Sequence, residues 1–469
     1  MVTTLEKLRE DTAAAIQGEC GEKALLCYQC VKCSAGCPLA SEMDYTPNQI
    51  MRAIQLGKAD LVLNSKTIWV CAACETCSTR CPQDIDIAKI MDTLKVLAQR
   101  LGIPAKEPKV PIFCKATMGN LKRFGRVYEL GMTLETNLRS GQPFNDAALG
   151  LKLFKKGKMK LLPSIARSPK TVKAKPIPKN TIAYYPGCSL HAVAVEFDLS
   201  TRKVAEALGL ALQEPEGWVC CGTTVARWTD PDQATTMSLK NLVLMEKMGH
   251  SKVTVPCAEC FSRLRAADHD VKADAVVRAM AARELGYDYQ GKVEVEHVVD
   301  TFLDMGTDVI RSKVTKPLSG LKVVCYYGCL LTRPPEIARA AEAEYPMNMD
   351  YLVRALGAQS LDWSYKTDCC GASLAVTQTE KAVRLMQRIL QNAVEVGAEA
   401  IVVACPLCQL NLDSRQEEIA SKMGISYNMP VFYITQLMGL AFGFGEKEIA
   451  LKKLLVDPRP LLRRKGLVS

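Results

Sequence analysis

Tyr184-Tyr185-Pro186-Gly187-Cys188 opens a stretch that continues to Cys220-Cys221-Gly222 and closes on Cys257-Ala258-Glu259-Cys260. The same order returns at Tyr326-Tyr327-Gly328-Cys329, Cys369-Cys370-Gly371 and Cys405-Pro406-Leu407-Cys408. Each copy supplies one thiol, then an adjacent pair, then a Cys-x-x-Cys. A repeat of this kind in so scarce a residue argues against chance. Adjacent cysteines in extended backbone point to opposite sides, so a Cys-Cys pair serves a polynuclear centre better than a single ion. The glycine after the pair lets backbone approach an inorganic core. Cys-x-x-Cys sets two sulfurs on one metal face, as in zinc and iron–sulfur sites. Two other readings compete. Disulfides need an oxidising compartment, and zinc in one or both copies would leave the fifth thiol over.

Outward from the cysteines, short apolar runs alternate with helical spacing. Residues 182–185, 253–255, 293–295, 322–326, 401–403 and 431–434 read as strands. Helical patterns lie at 196–210, 234–248, 297–303, 351–356 and 381–396. Strands alternating with helices imply parallel sheets, and the cysteines fall where strands end and helices begin, the usual ligand position in such sheets.

A second cysteine repeat precedes this one. Cys27-x-x-Cys30-x-x-Cys33-x-x-x-Cys37-Pro38 recurs as Cys71-x-x-Cys74-x-x-Cys77-x-x-x-Cys81-Pro82. This is the signature of two-cluster bacterial ferredoxins, in which three close cysteines wrap one cube and the fourth reaches across to the other. One cubane 4Fe–4S cluster is therefore expected on Cys27, Cys30, Cys33 and Cys81. The other is expected on Cys71, Cys74, Cys77 and Cys37. Residues 1–21 read as one amphipathic helix, 46–63 as a helix opened by Thr46-Pro47, and 86–101 as a further helix. Residues 102–165 carry basic helical pieces, with a turn at Gly141-Gln142-Pro143 and an amphipathic run at 149–162. That run is expected to pack on a partner protein or the following domain rather than lie on a membrane. Three prolines and four lysines over 168–180 mark a linker.

The five-cysteine order resembles the CCG domain found in pairs in the catalytic subunit of heterodisulfide reductase. The same domain occurs in iron–sulfur subunits of glycolate, lactate and glycerol-3-phosphate oxidising enzymes. Tyr327-Gly328-Cys329-Leu330-Leu331-Thr332-Arg333-Pro334 is similar to the second-copy motif of that catalytic subunit, and the N-terminal third is similar to its ferredoxin-type small subunit. The resemblance implies a noncubane 4Fe–4S cluster in each copy. One set is Cys188, Cys220, Cys221, Cys257 and Cys260; the other is Cys329, Cys369, Cys370, Cys405 and Cys408. It implies electrons arriving from a flavin-containing partner and a small disulfide broken between the two noncubane clusters. The alternative is a non-catalytic electron-transfer subunit between a flavin dehydrogenase and a quinone or cytochrome partner. The expected fold class is α/β with an α-helical N-terminal domain. A helical two-cluster ferredoxin domain would span 1–110, a basic helical segment and linker 111–180, and two pseudo-symmetric α/β CCG repeats with short parallel sheets 181–315 and 316–469.

The 469 residues carry 21 cysteines, and residues 1–19 are mixed polar and charged, unlike a secretory signal. A reducing, cytoplasmic setting is expected, with the inner membrane face reached through an anchor or cytochrome subunit. The uncharged run 423–445 is long enough to raise a membrane span. Asn428, Pro430, Gln436 and its glycines favour a strand and a buried helix instead. The formal charge is +10, which bound anionic clusters would partly offset, and Lys and Arg are not interleaved with stacking aromatics as nucleic-acid binding requires. Cys20, Cys114 and Cys325 read as packing thiols. Of the four histidines, His191, close behind Cys188, is kept as a candidate proton donor.

Overall fold

In a computed structural model, the protein is described over residues 4–167 and 176–468, so most of the linker read at 168–180 lies outside the described residues. Two parallel four-stranded sheets dominate the C-terminal part. The first contains β1 (Thr181–Tyr184), β2 (Ala211–Gln213), β3 (Lys252–Val255) and β4 (Glu294–His297), in the order β2-β1-β3-β4. The second contains β5 (Lys322–Tyr326), β6 (Gln359–Ser360), β7 (Ala400–Val403) and β8 (Val431–Tyr433), in the order β6-β5-β7-β8. The two orders are equivalent, so the cysteine repeat is a structural repeat. Every residue of β7 is buried, as a central strand with helices over both faces demands. The edge strands β2 and β6 are short and partly polar, with no apolar alternation to announce them.

The uncharged run at 423–445 forms β8 and the buried helix Ile434–Ala441, and among the described residues no helix is long and apolar enough to cross a membrane. Helix Ile87–Arg100 follows its reading closely. Three other helices are shorter than their periodicity suggested. Residues 1–21 hold two helices, Leu5–Glu10 and Thr12–Cys20, because the Asp11 carboxylate accepts from the Ala14 N–H at 2.9 Å and starts a new helix. The 46–63 run divides into Pro47–Gln55 and Ala59–Leu63, with Gly57 at φ +69° closing the first. The run at 149–162 is helical only within Ala147–Lys155, where Lys156-Gly157 ends it.

The dicluster region sits on both repeats. Arg227 of the first repeat pairs with Glu75 (3.2 Å) and Asp92 (2.7 Å). Arg333 of the second, 1% exposed, donates to Thr76 Oγ1 at 2.8 Å and to the Thr367 carbonyl at 2.9 Å. Gln378 and Ser373 donate to the carbonyls of Trp69 (2.7 Å) and Ala72 (3.0 Å). Four polar anchors thus fix the second ferredoxin loop against the sheets' C-terminal ends.

Candidate functional site

The thiols of both repeats come off strand ends. Cys188 follows β1 and Cys329 follows β5, while Cys257 and Cys405 cap the helices Ala258–Ala273 and Pro406–Ser414 that follow β3 and β7. These helix starts favour negative charge beside them. Matching contacts hold each set. Tyr185 donates its hydroxyl to the Val219 carbonyl (2.7 Å), and Tyr326 donates to the Asp368 carbonyl (2.5 Å), each directly before a Cys-Cys pair. Gly222 N–H points at Cys220 Sγ (3.4 Å) and Gly371 N–H at Cys369 Sγ (3.3 Å). Cys221 and Cys260 sulfurs lie 3.4 Å apart, and those of Cys370 and Cys408 lie 3.6 Å apart, too far for disulfides.

All ten cysteines line one cavity of about 500 Å³. Their thiols neighbour one another in series, Cys188 to Cys220, Cys221, Cys260 and Cys257, then across to Cys405, Cys408 and Cys370. Cys329 meets Cys369. Where the halves join, His297 is fully buried and its Nε2 lies 3.1 Å from the Pro256 carbonyl and 3.0 Å from that of Ala404. Those carbonyls precede Cys257 and Cys405. Nδ1 accepts from Val299 N–H, so the neutral ring satisfies every contact, and burial pushes its pKa down to about 4.

The cavity is roofed by the basic segment. Helices Lys109–Phe124, Glu129–Arg139 and Ala147–Lys155 contribute to its lining, and Val127 N–H points at Cys188 Sγ from 3.3 Å. Three carboxyls line the void: Glu129, Asp146 and Glu259. Burial raises Glu129 to about 7. Burial and then the nearby Cys221 raise Glu259 to about 7, against Thr224, whose N–H and hydroxyl both donate to it at 2.6 Å.

The ferredoxin-type thiols gather as two sets. Cys33 is in electrostatic range of Cys27 and Cys30, and Tyr28 lies near Cys27, Cys30 and Cys81. Cys77 is in range of Cys71, Cys74 and Cys37. Both loops carry left-handed residues at equivalent places, Gln29 and Val31 in one, Ala73 and Glu75 in the other, which curl the chain around a centre. Cys30 is exposed and rimmed by exposed Leu25, Leu26, Tyr28 and Val31. The second loop is inward, and Cys74 neighbours Cys369 of the second repeat.

The donor chemistry fits iron–sulfur centres. Among the described residues no three His, Cys, Asp or Glu side chains converge as one ion requires; the thiols instead ring a void. Gly187 (φ +71°) and Gly328 (φ +70°) form its cradle, since a Cβ there would lie 2.8 Å from Cys260 Sγ and 3.0 Å from Cys408 Sγ. Gly222 and Gly371, after each Cys-Cys pair, are crowded by Ala226 and Ala382, so a Cβ there would also disturb helix packing. Cys20 donates to the Ile16 carbonyl, Cys114 is buried, and Cys325 lies 3.6 Å from Ser360 Oγ, outside the cavity. His191 pairs with Glu214 at 3.0 Å in a smaller pocket that Cys188 also lines. Glu129 and the bridging His297 had no sequence signal, because only the fold brings them to the thiols. Arg333 lay within the Tyr327–Pro334 motif but had no evident partner there.

Comparison with known proteins agrees with this geometry. The cysteine-rich CCG domain matches at residues 182–265 and 323–413, and the 4Fe-4S dicluster domain at 26–86. The chain is 33% identical over 280 residues to the 8-methylmenaquinol:fumarate reductase membrane anchor subunit of Wolinella succinogenes, covering 60% of this chain and 98% of that protein. It is 31% identical over 280 residues to one subunit of the ferredoxin/F(420)H(2)-dependent CoB-CoM heterodisulfide reductase of Methanosarcina acetivorans, covering 58% of this chain and 92% of that protein. A further match, 35% identical over 102 residues, covers 22% of this chain and 53% of an iron-sulfur subunit of the CoB–CoM heterodisulfide reductase of Methanopyrus kandleri.

Proposed function

Because the chain belongs to the heterodisulfide reductase family, as an iron–sulfur protein that joins the dicluster domain of one reductase subunit to the paired CCG domains of another, we propose that it carries electrons from a flavoprotein partner to a small disulfide. The observation that carries this reading is the single cavity on which all ten CCG cysteines open. The reaction balances as R–S–S–R′ + 2 e⁻ + 2 H⁺ → R–SH + R′–SH, with electrons from the partner and protons from solvent.

In this reading Cys27, Cys30, Cys33 and Cys81 hold one cubane cluster, and Cys37, Cys71, Cys74 and Cys77 the other. Two noncubane clusters lie on Cys188, Cys220, Cys221, Cys257 and Cys260, and on Cys329, Cys369, Cys370, Cys405 and Cys408. Bound clusters supply one-electron transfer and Lewis acidity towards sulfur. The chain supplies position. The exposed apolar rim around Cys30 suits a docked redox partner, and the Cys74–Cys369 proximity suits onward passage into the second repeat. Gly187 and Gly328 leave room against the thiols, and the roof helices cover part of the cavity.

A second reading keeps the electron path and drops the disulfide: a carrier between a flavin dehydrogenase and a quinone or cytochrome partner. The relative named as a membrane anchor favours it, as does the roof's outer face, where Leu138, Phe144, Leu151 and Leu162 are exposed beside Lys152 and Lys155. Anaerobic purification with metal analysis, EPR and disulfide reduction separates the two. The disulfide reading expects about sixteen irons per chain, a thiol-induced signal distinct from the cubanes, and reduction of added disulfide. Iron near eight with stoichiometric zinc, or full iron with no disulfide turnover, overturns it.

A further inference from the structure

We infer that the cavity accepts a substrate that is electroneutral and apolar where it lies beneath the roof, and disfavours a disulfide with anionic ends. This rests on the disulfide reading above and narrows its substrate class. The basis is what lines the void apart from thiols. Its roof presents Phe113, Leu130, Met132, Leu149, Leu153 and Met159. Among the described residues only four charged side chains line it: Glu129, Asp146, Glu259 and Arg415.

The one cation of the four is already engaged. Arg415 holds both Asp146 oxygens, at 2.5 and 2.9 Å, and Glu418 at 2.7 Å. Glu259 accepts from Thr224 twice. Glu129 remains facing the void. Lys160, the cation that acts on it, lines a smaller pocket with Arg126 and His191, and Glu129 and Cys188 line both pockets, while Glu259, Asp146 and Arg415 share the cavity with it. An entering carboxylate or sulfonate would lose water and find no free cation among the described residues that line this cavity, which is unfavourable for a buried charge. It would also meet Glu129, whose carboxyl is charged above about pH 7 and neutral below it. An alkyl or ester chain meets apolar walls instead, and gains by leaving water.

The test uses the anaerobically purified holoprotein and two non-reducible thioethers of matched length, the 4,4′-thiodibutyrate dianion and its dimethyl ester, with binding followed by calorimetry. At about pH 8 the ester is expected to bind at least roughly tenfold more tightly. Glu129→Gln, checked for unchanged iron content, is expected to narrow that gap about threefold or more, as is lowering the wild type to about pH 6, where both butyrate carboxyls remain ionised. Equal or tighter binding of the dianion, or no binding of either compound, overturns the inference. The matching disulfides separate the two levels. An ester thioether that binds while its disulfide is not reduced sinks disulfide reduction but leaves the ligand class standing. A dianionic disulfide reduced as fast as the ester keeps the reaction and sinks the class.

Discussion

Cys188 and Cys329 occupy the same place in their repeats, behind equivalent strands and beside Gly187 and Gly328. Their surroundings then diverge. The first half meets the roof, with Val127 N–H on Cys188 and Arg126 stacked 3.8 Å over Trp218. The second half meets the dicluster domain, with Cys74 against Cys369 and Arg333 reaching Thr76. The joint itself is unequal: β4 ends in His297, which bridges both halves, while β8 ends in Tyr433, which stacks on Phe197 at 4.1 Å. Repetition supplies two like centres facing one void. Departure from repetition makes the two sides unlike, with the dicluster domain against one half and the roof over the other; in the proposed reading, that is delivery on one side and cover on the other.

The sharpest break of this comparison is a cysteine exchange across the halves. Cys369→Ala is expected to slow delivery from the dicluster domain into both CCG halves by roughly a hundredfold or more, whereas Cys188→Ala leaves delivery into the second half near wild type. Rapid-freeze EPR after a reductant pulse, alongside iron counts, reads the difference, and equal slowing in both variants would erase the proposed direction. The next effect concerns the joint. The unfolded chain takes up a proton at His297 below about pH 6.5, while the folded ring refuses it until about pH 4. The depressed folded value means stability is lost as pH falls through that window, by up to about 3 kcal/mol. His297→Gln should flatten that part of the slope in denaturant titrations between about pH 5 and pH 7, and an unchanged slope would remove His297 from the account. The smallest effect tests sameness. Tyr185→Phe and Tyr326→Phe each strand one carbonyl at a cost of about 1–2 kcal/mol, and the two costs should agree within about 0.5 kcal/mol. A larger gap in unfolding free energy would show that the frames are not equivalent.

Much of this architecture was legible in the cysteines. Their order marked the two repeats, and apolar runs placed the inner strands within a residue or two of where they lie. What escaped was set partly by local caps and partly by long-range packing. Asp11 and Gly57 break helices whose apolar spacing continues across the break. Gln359-Ser360 becomes a strand only because β5 offers it an edge. The basic segment reads as helical, but nothing local says that it roofs the thiols or turns Glu129 towards them. The glycine before the first cysteine of each set also matters, which is visible only once Cys260 and Cys408 close in behind it.

The solvent-facing corner at Cys30 has a cost that follows from its use. A thiolate open to the medium is the one that dissolved oxygen and alkylating reagents reach first, while its counterpart Cys74 is shielded by the second repeat. Damage in air is therefore expected to start at Cys30. In the proposed reading, a partner docked on the apolar rim beside it would seal that corner as well as feed it.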